Sequence, residues 1–204
     1  MHRWQAPAKD EERGEVLDKT GSEMRDQVKS LSIERAGHAD HALLFRLLQL
    51  YYFEATRWSG EDIGPDGLYE CDPAGVSSYL EADGADAAWI LKVDGVVAGF
   101  ALVEPVPLEG GPVRELADLF VLPRYRRLGL ADLAFRRLVL DGGEPCLVAV
   151  CRKDEDALRH WQRAFARLPC TVRPGPDDDV FHLFVVQADP VDPPPEPAGV
   201  PRPG

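Results

Sequence analysis

Between Ala39 and Trp58 apolar residues recur at helical spacing, with Leu43, Leu44, Leu47, Leu48, Tyr51 and Tyr52 on one stripe. Recurrence at i, i+3, i+4 and i+7 predicts an amphipathic helix facing a core. The next stretch, "SGEDIGPDGLYECDPAG" (59–75), loses periodicity and gathers glycine and aspartate, which reads as loop. A short helix is expected over "VSSYLEADG" (76–84). The pattern then turns to apolar runs. "AAWILKV" (87–93) and "VVAGFALVEP" (96–105) flank Asp94-Gly95, the strongest short signal for a β-hairpin. "RELADLFVL" (114–122) predicts another strand, and residues 130–140 a helix stopped by the glycines of "DGGEP". "PCLVAVC" (145–151) reads as a buried strand. "DEDALRHWQRAFARL" (154–168) reads as a helix whose acidic opening complements its dipole. "DVFHLFVVQ" (179–187) predicts a closing strand, and "LSIERA" (31–36) a first one.

Hairpin strands followed by strand–helix–strand units predict an α/β (α+β) fold, a mixed sheet with helices on both faces. One domain is expected over residues 30–187. Residues 1–29 are polar, charged and aperiodic, which predicts a mobile arm or a short docking helix. The proline-rich tail over 188–204 is expected to stay outside the core.

Composition narrows the function. The chain has 204 residues, 45% of them hydrophobic, enough for a sizeable core. The formal net charge of −12 argues against nucleic acid, whose phosphates need a basic face. It favours cationic partners such as amines. No apolar run reaches bilayer length, so no membrane partner is expected. The N-terminus lacks the apolar core of a secretory signal, so a cytoplasmic location is expected. Cys71, Cys146, Cys151 and Cys170 show no metal-binding spacing and are expected as reduced thiols. His38 and His41, three apart, have no completing ligands nearby, and no metal is expected.

One segment stands out in this acidic chain. "DLFVLPRYRRLGLADLAFRRL" (118–138) holds Arg124, Arg126, Arg127, Arg136 and Arg137 around a lone glycine. If a helix starts near Leu130, the amides from Arg127 to Ala131 lie in or just before its unsatisfied first turn. Such amides form an anion site, and Gly129 lets a ligand approach the backbone. Arginine side chains add charge and bidentate grip. By chemistry alone the segment fits a diphosphate site or an ordinary surface connection.

The same segment resembles the acetyl-CoA-binding motif of the GNAT family of N-acetyltransferases. The matching positions are Val121, Pro123, Tyr125 and Arg126-x-x-Gly129-x-Ala131. The hairpin "WILKVDGVVAGFALVEP" and the segment "CLVAVCRKDEDALRHWQRAF", with Ala157 at the usual alanine, are similar to the strands and helix that flank this motif. The resemblance covers about residues 31–187. It implies a mostly antiparallel sheet of six to seven strands.

It further implies acetyl-CoA as cosubstrate, its pyrophosphate on the amides of Arg127, Leu128, Gly129, Leu130, Ala131 and Asp132, with Arg126 in the same site. The pantetheine is expected beside the splayed end of Phe120, Val121 and Leu122. Direct attack by the primary amine of a small molecule rests on positioning, with a carboxylate taking the proton. Glu115 and Asp118 are the candidates. Even spacing puts Glu115 on the strand face of Val121 and Asp118 on the opposite face. Asp132 brings negative charge close to the phosphates. Trp161 stands where most relatives carry a tyrosine that protonates the departing thiolate, as in some bacterial members. An indole N–H only donates a hydrogen bond, so two functions are expected: acetyl transfer, or a catalytically silent protein that binds CoA or a partner in the same groove. A homodimer is the assembly allowed for.

Gly129→Glu should therefore abolish acetyl-CoA binding while the domain stays folded, because the new side chain fills the phosphate site with like charge. Calorimetry on the folded variant checks this, and unchanged affinity contradicts the motif assignment.

Overall fold

A computed structural model describes residues 28–108 and 111–190. The expected arm over 1–29 and tail over 188–204 fall almost wholly outside the described residues. The chain forms β1 (Leu31–Arg35), α1 (His41–Ser59), α2 (Pro73–Ser78), β2 (Ala87–Val93), β3 (Val96–Leu108) and β4 (Gly111–Val121). Then follow α3 (Leu130–Phe135), β5 (Cys146–Cys151), α4 (Glu155–Arg167), β6 (Cys170–Pro174) and β7 (Phe181–Ala188). The helix of α3 runs on through Arg136–Leu140 with a widened turn, where the Asp141 amide bonds back to the Arg136 carbonyl at 2.8 Å.

Among the described residues, seven strands make one sheet in the order β1-β2-β3-β4-β5-β7-β6. Neighbours run antiparallel except β4 and β5, which run parallel. This is the mixed, mostly antiparallel sheet that the resemblance implies. β6 was not expected from the sequence. It is a short edge strand that carries Arg173 and ends on Pro174, a residue tolerated where no ladder donor is required.

Two cores lie on the two faces of the sheet. Leu44, Leu47 and Leu48 of α1 and Val76 of α2 pack with Ile90, Phe100, Leu102 and Phe120. On the other face, Leu130, Ala134 and Phe135 of α3 and Trp161 and Ala164 of α4 pack with Leu91, Ala101, Leu116 and Val148. Each fully buried leucine contributes about 1.5–3 kcal/mol, so the helical stripe read from the sequence decides which face α1 covers. α1 ends at Gly60, whose φ of +75° makes the left-handed stop. The second helix starts at Pro73, earlier than the expected Val76. Asp72 caps it, accepting from the amides of Ala74 and Gly75, and Pro73 occupies its first turn.

The register of β3 and β4 corrects the expected side-chain faces. Leu102 opposes Asp118 while Val103 opposes Leu116, so Ala117 is an extra, unpaired residue, a β-bulge. The bulge reverses the alternation of β4 at that point. Leu116, Leu119 and Val121 face the α3–α4 side, whereas Ala117, Phe120 and Leu122 face the α1–α2 side. Glu115 opposes Glu104 and shares with Asp118 the α1–α2 face. The expectation that Glu115 shares a face with Val121 is therefore wrong: Asp118 does lie opposite Val121, and Glu115 lies on the face of Asp118. Plain counting by two fails across a bulge.

Gly99 lies beneath the end of β4. A Cβ built there overlaps the Phe120 carbonyl oxygen and comes to 3.0 Å from Val121 Cα. Gly99→Ala should destabilise the domain by about 1–3 kcal/mol, the usual cost of overpacking. Urea unfolding measures it, and an unchanged midpoint would show that β4 shifts freely.

Candidate active site in the cleft between β4 and β5

β4 and β5 pair only at Arg114–Cys146, Glu115–Leu147 and Leu116–Val148. Beyond Leu116 the two strands part, although β4 continues to Val121 and β5 to Cys151. The bulge at Ala117 begins where the pairing ends, and bulges bend a strand and increase its twist. The result is a cleft in the middle of the sheet, bordered by strand backbone without a strand partner.

At the end of β4 the chain turns back under itself. The Leu122 amide donates to the Ala98 carbonyl at 2.8 Å, and Pro123–Tyr125 form one 3₁₀ turn. Arg127 (φ +66°) and Gly129 (φ +94°) then both take left-handed conformations before α3 begins. A Cβ on Gly129 would meet only Leu31 Cδ1 at 3.8 Å, so backbone conformation, rather than space, demands the glycine. Arg127 holds such a conformation without that freedom, at a cost of about 1–2 kcal/mol. Residues strained in this way cluster at ligand clamps and active sites. No side chain caps the start of α3. The amides of Leu128, Gly129, Leu130 and Ala131 thus come together at a helix start, the geometry of an anion site.

The side chains around this turn are distributed differently from what the sequence led us to expect. Arg126 Nε donates to the Val121 carbonyl at 2.9 Å, and its Nη2 reaches Glu54 Oε2 of α1 at 2.5 Å. Arg124 stacks over Tyr125, and Arg137 pairs with Asp141. Asp132 is tied to Arg167, in the last turn of α4, at 2.9 Å. Its charge is balanced within the protein. Trp161 is 7% exposed. It stacks on Phe165 and tilts against Phe135 at 5.2 Å, so packing is the role its contacts describe. Asp154 caps α4 by accepting from the Ala157 amide at 2.9 Å.

On the α1–α2 face the cleft meets three carboxylates. Glu104 and Glu115 sit directly opposite each other on β3 and β4, and Asp118 lies one step along. Tyr79 donates a very short hydrogen bond to Glu104, and Tyr51 of α1 bonds Asp118. Burial, then the Glu104 and Asp118 charges, push the Glu115 carboxyl up. Burial also raises Asp118, with the Tyr51 bond opposing it. Tyr51 and Tyr52 are pushed well above the ordinary phenol value, chiefly by burial, and stay protonated donors. The loop before α2 is fastened as a wall. Gln49 of α1 accepts from the Tyr69 amide at 2.8 Å and donates to the Tyr69 carbonyl at 3.1 Å.

Of the expected site residues, Phe120 to Leu122 and Arg126 to Asp132 meet at one end of the cleft, and Glu115 and Asp118 lie on its α1–α2 face. Sequence reading missed Glu104, Tyr79 and Glu54. Glu104 was within reach of a register count, since pairing β3 with β4 outward from Leu108 and Gly111 brings Glu104 to Glu115. Glu54 carries no local signal at all.

Residues 45–165 match the Acetyltransferase (GNAT) family. An acetyltransferase from Thermus thermophilus is 20% identical with a TM-score of 0.55, over 79% of this chain and 98% of its own. Arabidopsis thaliana NAA60 in complex with acetyl-CoA is 12% identical with a TM-score of 0.52, over 78% and 98%. The PaiA N-acetyltransferase of Thermoplasma acidophilum in complex with coenzyme A is 10% identical with a TM-score of 0.50, over 78% and 99%. These likenesses concern the fold. No curated protein matches the sequence.

The raised Asp118 carboxyl has a consequence for stability. Its ordinary value is 3.8, and burial penalises the charged form in the folded state. Below 3.8 the group is protonated folded or unfolded and is neutral in the comparison. As pH rises through the window up to its folded value, the unfolded chain ionises first and wild-type stability falls. Asp118→Asn should therefore gain thermal stability over wild type at about pH 7.5 and lose that gain at about pH 3. An equal gain at both pH values would contradict a raised carboxyl.

Proposed function

The chain belongs to the GNAT family of acetyltransferases, a match that covers more than half its length, and on that premise we propose that it moves an acetyl group from acetyl-CoA to the primary amine of a small molecule. The observation that carries this reading is the parting of β4 from β5 after three residue pairs, with free strand backbone on one bank and the amide-rich turn at its end. Pantetheine, which carries amides of its own, can pair with the backbone of β4 beyond Leu116 that β5 leaves without a partner, the Val121 amide foremost. The diphosphate then meets the amides from Arg127 to Asp132, at the start of α3. No other group is required for the chemistry.

The reaction is a direct displacement in a ternary complex. The amine lone pair attacks the thioester carbonyl, a C–N bond forms, the C–S bond breaks, the thiolate leaves with the electron pair, and the proton shed by the acylated nitrogen passes to that thiolate or to solvent. A thiol of reference pKa about 8.5 is a tolerable leaving group without an acid, so Trp161 is compatible with turnover. An ammonium must first lose its proton. Glu115 is the proton acceptor in this reading, because burial and the neighbouring carboxylates raise its carboxyl and make it a better base than an ordinary glutamate. Asp118, held by Tyr51, and Glu104, held by Tyr79, supply negative charge on the acceptor side. Three carboxylates on one face favour a cationic acceptor, in keeping with the net charge of −12. A cytoplasmic location, and a homodimer as the assembly, belong to the same proposal.

Thiol release from acetyl-CoA across a panel of primary amines tests the function. Turnover supports acetyl transfer. CoA binding with no turnover on any amine supports the catalytically silent reading that Trp161 at the tyrosine position allows.

Glu115→Gln should lower kcat on the order of a hundredfold while leaving acetyl-CoA affinity intact, as expected for a positioned base. The acidic limb of the pH–rate profile should vanish with it, since the base works only when deprotonated. A large loss in Asp118→Asn with little in Glu115→Gln assigns the proton to Asp118 instead.

A further inference from the structure

Arg126 stands between α1 and the end of β4 and touches both. Its Nε donates to the Val121 carbonyl oxygen at 2.9 Å, closing the turn that leads out of β4. Its Nη2 donates to Glu54 Oε2 at 2.5 Å, and its guanidinium lies 6.0 Å from the Phe120 ring centroid. Glu54 is itself held at both oxygens. Its Oε1 accepts from Arg57 Nη2 at 2.7 Å, and Arg57 Nε donates to the Glu54 backbone carbonyl at 3.1 Å. The carboxylate is 21% exposed and the guanidinium 40%. This chain of contacts runs from α1, across the cleft end, to the backbone of β4.

The turn beyond Arg126 needs such support. Arg127 is left-handed without being glycine, and Gly129 is left-handed two residues on. A strained turn persists only where surrounding contacts over-determine it. Fixed donors in a fixed turn also bind an anion without the entropic cost of becoming ordered.

We propose that Glu54 is a positioning residue for the acetyl donor. Through Arg126 it holds the 121–129 turn in the shape that receives the diphosphate, and it never touches the donor itself. The inference rests on the assignment of that turn to acetyl-CoA. It differs in sign from the alternative in which Arg126 grips phosphate directly. In that case Glu54 competes with the phosphate for the guanidinium, and its loss tightens binding.

The experiment compares wild type, Glu54→Gln, Arg126→Gln and the double variant, each first checked for unchanged thermal unfolding. Acetyl-CoA affinity is measured by calorimetry, and KM and kcat with acetyl-CoA and with S-acetylpantetheine, which lacks the diphosphate. Glu54→Gln should weaken acetyl-CoA binding about fivefold, the upper range for a partly exposed ion pair. KM for acetyl-CoA should rise with kcat unchanged, and the S-acetylpantetheine constants should not move. The double variant should be no worse than Arg126→Gln alone, because both substitutions remove one shared contact. Unchanged or tighter acetyl-CoA binding in Glu54→Gln overturns the proposal. So do equal losses with both donors, which would mean a general loosening of the domain. A wild type that binds no acetyl-CoA overturns the donor-site assignment itself, and this inference with it.

Discussion

A single extra residue in β4 shapes the site. The bulge at Ala117 coincides with the end of the β4–β5 ladder, and the strands diverge from there. In a regular parallel pair the backbone of β4 beyond Leu116 that faces β5 would be spent on the ladder. Here β5 leaves it unpaired, and one of its groups, the Val121 carbonyl, accepts from Arg126 Nε. The same residue reverses the side-chain alternation, so Glu115 and Asp118 point to one face and join Glu104 there. Backbone released from the ladder and a cluster of carboxylates on one face thus arise from one local irregularity.

The two faces of the sheet divide the work. The α3–α4 face is an apolar core in which Trp161, Phe135 and Phe165 pack together and brace α3 behind the turn. The α1–α2 face carries the polar groups, with Tyr51 and Tyr79 each holding one carboxylate. Carboxylates crowded and half-buried in this way oppose stability and hold protons more tightly than ordinary carboxylates do. The Glu54–Arg126 pair joins the faces at the end of the cleft, where α1 meets the turn.

Much of this was legible in the sequence, for identifiable reasons. Asp94-Gly95 announces its hairpin because only a few residues tolerate that turn. The leucine stripe of α1 announces its buried face because helical spacing is long and regular. Arg126-x-x-Gly129-x-Ala131 announces the turn because its backbone demands a glycine, as the φ of +94° bears out. The bulge was not legible. Ala117 is an ordinary residue with no glycine or proline to mark it, and a one-residue slip moves every later side chain to the other face. β6 escaped because a five-residue edge strand with an arginine and a proline has the composition of a loop. Glu54 escaped because its partner lies 72 residues away in sequence, a contact that only the fold creates.

The account depends on acetyl-CoA lying along the parted strand with its diphosphate on the turn. Amide hydrogen exchange with and without CoA tests that most directly. The account predicts slowed exchange at Val121 and at Leu128 through Ala131, with the amides of the β2–β3 turn at Asp94-Gly95 unchanged. Binding that protects none of these amides, or that protects a different face of the sheet, would contradict it.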